Sequence, residues 1–158
     1  MTTLKVGDKA PAITATDQHG NTVSLSDFKG KKVILYFYPK DNTPGCTTEA
    51  CNYRDNYQSL VADGFEVIGV SVNSERSHLN FATKHDLPFT LLVDTDQRIV
   101  NDYGVWAEKS LYGRKYMGTL RTTFVIDETG IIIHIINKVD NKRASEQVRE
   151  LLGQSGQS

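Results

Sequence analysis

The chain of 158 residues has only two cysteines, Cys46 and Cys51. Two thiols cannot build the disulfide framework of a small secreted domain, and a chain of this length can bury a core without one. Charge of one sign is also missing: 18 Lys and Arg stand against 19 Asp and Glu, a formal net charge of −1. Nucleic-acid binders usually carry a basic excess, so that class is set aside. No apolar run approaches the ~20 residues of a membrane-spanning helix; the longest are Val33–Tyr38 and Ile131–Ile136. Met1–Ala10 holds Lys5, Asp8 and Lys9 around no apolar centre, unlike a secretory signal. The expectation is a cytoplasmic protein, away from membranes, with reduced thiols. No Gly-x-Gly-x-x-Gly or phosphate loop occurs. His19, His78, His85 and His134 are scattered without a second ligand at useful spacing, so they read as surface or packing residues. No cofactor or metal is expected.

What is present is an alternation of strands and helices. Lys32–Tyr38 is a continuous apolar run, the pattern of a strand covered on both faces. Val67–Val72, Thr90–Val93, Thr123–Ile126 and Ile131–Ile136 read as further strands, the last two joined by the turn Asp127–Gly130. Before them, Ile13–Thr16 and Thr22–Leu25 flank a turn at His19–Asn21. Ala50, Tyr53, Tyr57, Leu60 and Val61 fall at helical spacing and Gly64 ends that helix. Ser74 opens a second helix carrying Leu79, Phe81 and Ala82, Asp96–Tyr103 is a short third, and Ala144–Leu152 is a final amphipathic one. The result is a single α/β domain over residues 1–152, with Gly153–Ser158 as a flexible tail. The closing strand–turn–strand is antiparallel, so the sheet is mixed and compatible with a thioredoxin-like fold.

The stretch that speaks of chemistry runs from Tyr36 to Cys51. The strand ends at Pro39, a polar turn follows, and Thr43 precedes Pro44. Thr is a good N-cap and Pro favours the first helical position, so a helix begins at Thr43–Pro44. Cys46 then sits in the first turn, where unpaired N–H groups and the positive end of the macrodipole favour a negatively charged sulfur. Positions 46, 50, 53, 57 and 60 form one stripe, which turns Cys46 toward the sheet. Cys51 is rotated about 140° from it. In an intact helix their Cα atoms lie about 8.7 Å apart, beyond the roughly 4.4–6.8 Å of a disulfide. A bond between them would require the first turns to unwind. A Cys-x-x-Cys pair, about 5 Å apart, would not, so the spacing argues against a ready-made dithiol exchanger. The plainer alternatives are a buried core cysteine at 46 and a bystander thiol at 51.

The string Phe37-Tyr-Pro-Lys-Asp-Asn-Thr-Pro-Gly-Cys-Thr-Thr-Glu-Ala-Cys51 resembles the peroxiredoxin active-site signature, and in its length that of the BCP/PrxQ subfamily. Val6-Gly-Asp-x-Ala-Pro11, Leu25-Ser-Asp-Phe-x-Gly30, Tyr103-Gly-Val-Trp106 with Glu108-Lys109, and Arg121-x-Thr-Phe-Val-Ile-Asp127 extend the likeness over roughly residues 4–152. The resemblance implies a thioredoxin-like fold with extra N-terminal strands. It implies a peroxidatic Cys46 and a resolving Cys51. Thr43 would hydrogen-bond thiolate and peroxide, Pro39 would shield the thiolate, and Arg121 would hold thiolate and peroxide oxygen. It implies hydroperoxide substrates, a thioredoxin-type reductant and a monomer.

The residues keep blander readings beside these. Thr43 could be a cap alone, Pro39 a strand terminator and Arg121 a surface residue. Glu49 could be a favourable first-turn charge rather than a site residue. Trp106, Tyr112 and Tyr116, in the connection Gly104–Leu120, either pack on the body or line a peroxide pocket. Three functions compete: a thiol peroxidase, a redox-responsive binding or holdase protein, and a thioredoxin-type exchanger.

Overall fold

The structure is a computed structural model that describes residues 2–155. A short antiparallel ribbon, β1 (Thr14–Thr16) and β2 (Thr22–Ser24), precedes the sheet strands β3 (Lys32–Phe37), β4 (Phe65–Ser71) and β5 (Thr90–Val93). Helices α1 (Pro44–Ala62) and α2 (Glu75–Lys84) connect these, and α3 (Arg98–Asp102) follows. A hairpin, β6 (Trp106–Leu111) and β7 (Arg114–Thr119), leads to β8 (Thr122–Ile126), β9 (Ile132–Ile136) and the last helix α4 (Ala144–Ser155). The five-stranded sheet has the order β5-β4-β3-β8-β9. β3, β4 and β5 are parallel and β8 and β9 antiparallel, the mixed thioredoxin-like arrangement expected.

The unbroken apolar run of β3 follows from its place in the middle. Ile34, Tyr36 and Tyr38 face a core built with α1, α2 and α4. Val33, Leu35 and Phe37 face a second core, with Ile99 and Val100 of α3, Tyr103, Val105, Ala10 and Ile13. Period-two alternation sends neighbours to opposite faces, and both faces are covered, so every position must be apolar. The α1 stripe buries Cys46, Ala50, Tyr53 and Leu60 as its spacing requires, with Tyr57 packed alongside.

Some expectations shift. Val61 and Leu79 are 41 % and 38 % exposed, on the outer edges of their helices. The helix α4 continues through Ser155, so 153–155 are helical; residues 156–158 of the expected tail lie outside the described residues. The connection Gly104–Leu120 is mostly the β6–β7 hairpin, whose polar strand residues hide any alternation. It turns at Tyr112-Gly113, with φ of 52° and 77°, the two left-handed residues a tight hairpin requires. Tyr112 thereby neither packs nor lines a pocket: it is 98 % exposed at the tip.

Gly69 of β4 allows the closest approach in the core. A Cβ there would lie 2.9 Å from Leu91 Cδ2 and 2.9 Å from Tyr36 Cζ. The Tyr36 ring fills that gap and packs on Tyr53 of α1, centroids 4.8 Å apart. Gly69→Ala should cost about 1–3 kcal/mol by overpacking, read as a lower urea midpoint with unchanged slope. An unchanged midpoint would show that Tyr36 is free to move away.

Candidate active site

The register of the sheet assembles the site. Thr122 pairs with Phe37, so Arg121, one residue before β8, stands beside the end of β3 where the chain turns into α1. On the other side of this turn the helix starts as its sequence predicts. Thr43 is the N-cap in extended conformation, Pro44 is the first helical residue, and the Thr47 N–H donates to the Thr43 carbonyl at 2.9 Å. Cys46 is therefore the third helical residue, among N–H groups that have no partner within the helix. It is 1 % exposed.

Arg121 closes over it. Nη2 donates to Cys46 Sγ at 3.1 Å and Nη1 donates to Glu49 Oε1 at 2.6 Å. One guanidinium thus clamps two side chains a helical turn apart, at i and i+3 on the same face. Glu49 is fully buried, and its Oε2 has no hydrogen-bond partner. Burial pushes its carboxyl from an ordinary 4.5 up to about 7, Arg121 offsetting only part of the cost of desolvation. Burial acts to lower the Arg121 pKa, but Glu49 and Cys46 outweigh it and hold it above its usual value. A permanent positive charge donating to sulfur stabilises negative charge there. The same clamp is shaped to stabilise charge developing on an oxygen placed against that sulfur.

The remaining expected residues are distributed unequally. Pro39 is half-buried at the end of β3, with a trans peptide bond. Thr43 occupies the cap position, but its hydroxyl donates to the Lys40 carbonyl at 2.8 Å and makes no side-chain cap bond. That donor is turned toward the loop and not toward Cys46. Cys51 is half-buried on another side of α1, beside a cleft lined by Thr47, Thr48, Asn52, Asp55 and Lys142. Both cysteines are free thiols and α1 runs unbroken between them. Trp106 packs on the second core, and Tyr116 is 46 % exposed on the hairpin.

Several neighbours were not anticipated. Tyr36 and Tyr53 bury hydroxyls without partners beside Glu49, and burial followed by the Glu49 charge holds both pKa values well above normal. Gly45 leaves no room for a side chain: a Cβ would come within 3.0 Å of Asn141 Nδ2 and 3.4 Å of Arg121 Nη2. Lys109 of β6 lies close enough for Arg121 and Cys46 to act on its charge. Burial first, then Arg121, lowers its pKa, with Cys46 opposing. In sequence Lys109 is one charge in a polar strand; only the hairpin brings it here. Glu49, weighed from the sequence as a site residue or a first-turn charge, is brought against Arg121.

A thiol held under a fixed cation on a thioredoxin-like sheet places the protein among enzymes that do redox chemistry on sulfur. Its relatives narrow the class. The AhpC/TSA family model matches residues 6–135. A putative peroxiredoxin bcp of Coxiella burnetii is 48 % identical over 150 residues, 95 % of this chain and 97 % of its own. Peroxiredoxin Bcp of Bacillus subtilis is 48 % identical over 140 residues, 89 % of either chain. Among solved structures, a cysteine-to-serine variant of Xylella fastidiosa PrxQ superposes with a TM-score of 0.91 at 28 % identity, over 99 % of this chain and 100 % of its own. The Xanthomonas campestris bacterioferritin comigratory protein, solved as trapped intermediate and ligand complexes concerned with alkyl peroxide reduction, does so with a TM-score of 0.85 at 28 % identity, over 98 % and 99 %. The chain belongs to the AhpC/TSA family, as a peroxiredoxin of the Bcp/PrxQ kind, and is a thiol peroxidase. Among the described residues, no cluster of His, Cys, Asp or Glu could hold a metal ion, and no helix is long and apolar enough to cross a membrane.

The raised Glu49 value has a consequence for stability. Between pH 4.5 and about 7 the folded state holds a proton on Glu49 that the unfolded chain has released. Its stabilising contribution is complete below the lower value and is lost as pH rises through the upper one. Relative to Glu49→Gln, the wild type should therefore lose on the order of 3 kcal/mol across that window, measured by urea unfolding at stepped pH. A difference between the two that does not change with pH would mean that Glu49 is ionised throughout.

Proposed function

We propose that the protein reduces hydrogen peroxide and organic hydroperoxides with Cys46 as the peroxidatic residue and Cys51 as the resolving one. The observation that carries this reading is the Arg121 Nη2 donor 3.1 Å from Cys46 Sγ in the first turn of α1. The Cys46 thiolate attacks the terminal oxygen of the hydroperoxide. The S–O bond forms, the O–O bond breaks, and the leaving oxygen takes a proton to become water or alcohol, leaving sulfenic acid on Cys46. Arg121 and the N–H groups of the first turn stabilise the charge that develops on the oxygens, a contribution of ~3–4 kcal/mol for a well-placed donor. The Thr43 hydroxyl, donating to the Lys40 carbonyl, keeps its lone pairs free to accept the hydroperoxide O–H. Pro39 keeps water from the sulfur, and Glu49 holds the guanidinium in place.

Cys51 then attacks the sulfenic acid, forming the 46–51 disulfide and releasing water. A thioredoxin-type dithiol returns both thiols by exchange and is itself oxidised. A cycle that returns both cysteines to thiols suits a reducing compartment such as the cytoplasm, where the role is antioxidant defence. The alkyl peroxide chemistry named for the Xanthomonas campestris relative supports the substrate class. All the residues assigned to this cycle come from one chain, which supports a monomer as the active form.

Cys46→Ser should abolish peroxide consumption coupled to thioredoxin and its reductase while the fold stays intact; turnover within about tenfold of wild type, ~1.4 kcal/mol of barrier, would refute the role of Cys46. Cys51→Ser should form the sulfenic acid nearly as fast but recycle poorly and overoxidise to sulfinic acid, seen by mass spectrometry after a peroxide pulse. Recycling as efficient as that of wild type would remove Cys51 from the cycle.

A further inference from the structure

Disulfide closure between Cys46 and Cys51 demands that α1 open, yet the helix also carries Ala50, Tyr53 and Leu60 of the first core. Opening must therefore stop somewhere, and two polar attachments, one buried and one half-buried, lie where it could. Upstream is Asp41, 5 % exposed. Its N–H donates to Asn73 Oδ1 at 2.9 Å, Oδ1 accepts from the Tyr38 hydroxyl at 2.6 Å, and Oδ2 accepts from the Ser77 hydroxyl at 2.8 Å. Oδ2 also lies 2.6 Å from Nδ1 of the fully buried His78, whose Nε2 meets the Leu92 carbonyl at 2.8 Å. These bonds tie the turn after β3 to the start of α2 and to β5.

Downstream is Asn52, the residue after Cys51. Its Oδ1 accepts the Ser145 N–H at 2.8 Å and its Nδ2 donates to the Lys142 carbonyl at 2.9 Å and to Glu146 Oε2 at 3.2 Å. A side chain of α1 thereby caps the first turn of α4. The two residues after it are also fixed: Tyr53 is fully buried, and Arg54 Nη1 donates to the His85 carbonyl at 2.9 Å.

The ten residues from 42 to 51 contrast with both ends. Asn42 is left-handed at φ 61°, and Gly45 in the first turn is a poor helix former. The hydroxyls of Thr43 and Thr48 bond locally, to Lys40 and Pro44. Among the described residues, the side-chain hydrogen bonds from this segment to distant chain are those of Cys46 and Glu49 with Arg121. Oxidation to sulfenic acid removes the charge on sulfur and weakens the first of these.

We infer that Asp41 and Asn52 are positioning residues for disulfide formation, pinning the chain at either side so that only residues 42–51 rearrange and Cys46 travels to a nearly stationary Cys51. This rests on the proposed resolving role of Cys51. Confinement keeps Arg121, β3 and the rest of α1 in place, so that reduction restores the same clamp.

Amide exchange by mass spectrometry on the fully reduced and the disulfide protein, with the disulfide mapped in the same samples, tests it. In wild type, exchange should rise on oxidation within residues 42–51 and stay level at 36–41 and 53–57. In Asn52→Ala the oxidised boundary should move into 53–57, with exchange there about tenfold faster than in oxidised wild type, as loss of one or two net hydrogen bonds implies. An Asn52 that is merely structural would raise exchange equally in both redox states, which would overturn the inference. So would a wild-type boundary beyond Asp41 or Asn52, and that comparison decides the matter alone if Asn52→Ala does not fold. Absence of a 46–51 disulfide would instead overturn the resolving role of Cys51 and the inference with it.

Discussion

The site depends on one guanidinium. Arg121 reaches Cys46 Sγ with one nitrogen and Glu49 Oε1 with another, and both targets come from the first turn and a half of α1. The arrangement is expensive. Glu49 is buried with one oxygen unpaired, and a half-satisfied carboxylate is among the costlier groups to place in a core. What it secures is the direction of Arg121. A cation with one bidentate partner would collapse onto it; one shared between a carboxylate and a sulfur keeps a donor on the sulfur, where the proposed reaction would bring the peroxide oxygen.

The rest of the fold can be understood as support for that placement. The pairing of Phe37 with Thr122 fixes how far Arg121 stands from the start of α1. Bare backbone at Gly45 lets Arg121 and Asn141 approach the helix, and at Gly69 it lets Tyr36 underlie Tyr53 and so seat α1 on the sheet. Asp41 holds the intervening turn through contacts with Tyr38, Asn73, Ser77 and His78. On the proposed cycle, stiffness on both flanks and weakness in the first turns of α1 belong to one design, since the sulfur would be fixed for the first reaction and free for the second.

Much of this was legible in the residues. Continuous apolar runs gave the central strands because a strand covered on both faces has no polar side to show. The helix start at Thr43–Pro44 and the burial of Cys46 followed from capping chemistry and a four-three stripe. The hairpin was not legible: Glu108, Lys109, Ser110 and Lys115 are polar on both faces, and its turn uses Tyr112 where a glycine or asparagine would have signalled it. Lys109 was lost with it. The Thr43 cap position was legible along the chain, but its hydroxyl's choice of the Lys40 carbonyl depends on a loop path that spacing does not encode. Asp41 and His78 are 37 residues apart and meet only through the sheet. Glu49 was legible as a candidate, three residues after Cys46, but its partner Arg121, 72 residues away, meets it only through the sheet.

The central claim is that Arg121 serves the transfer of oxygen and does more than make sulfur anionic. The rates at which Cys46 reacts with hydrogen peroxide and with iodoacetamide, in wild type and Arg121→Lys, separate the two. Iodoacetamide needs only the thiolate, whereas peroxide also needs charge stabilised on oxygen. The account predicts that the peroxide rate falls about 10²–10³-fold, as for loss of an aimed donor, while alkylation falls far less. Equal loss of both rates, or loss of neither, would contradict it.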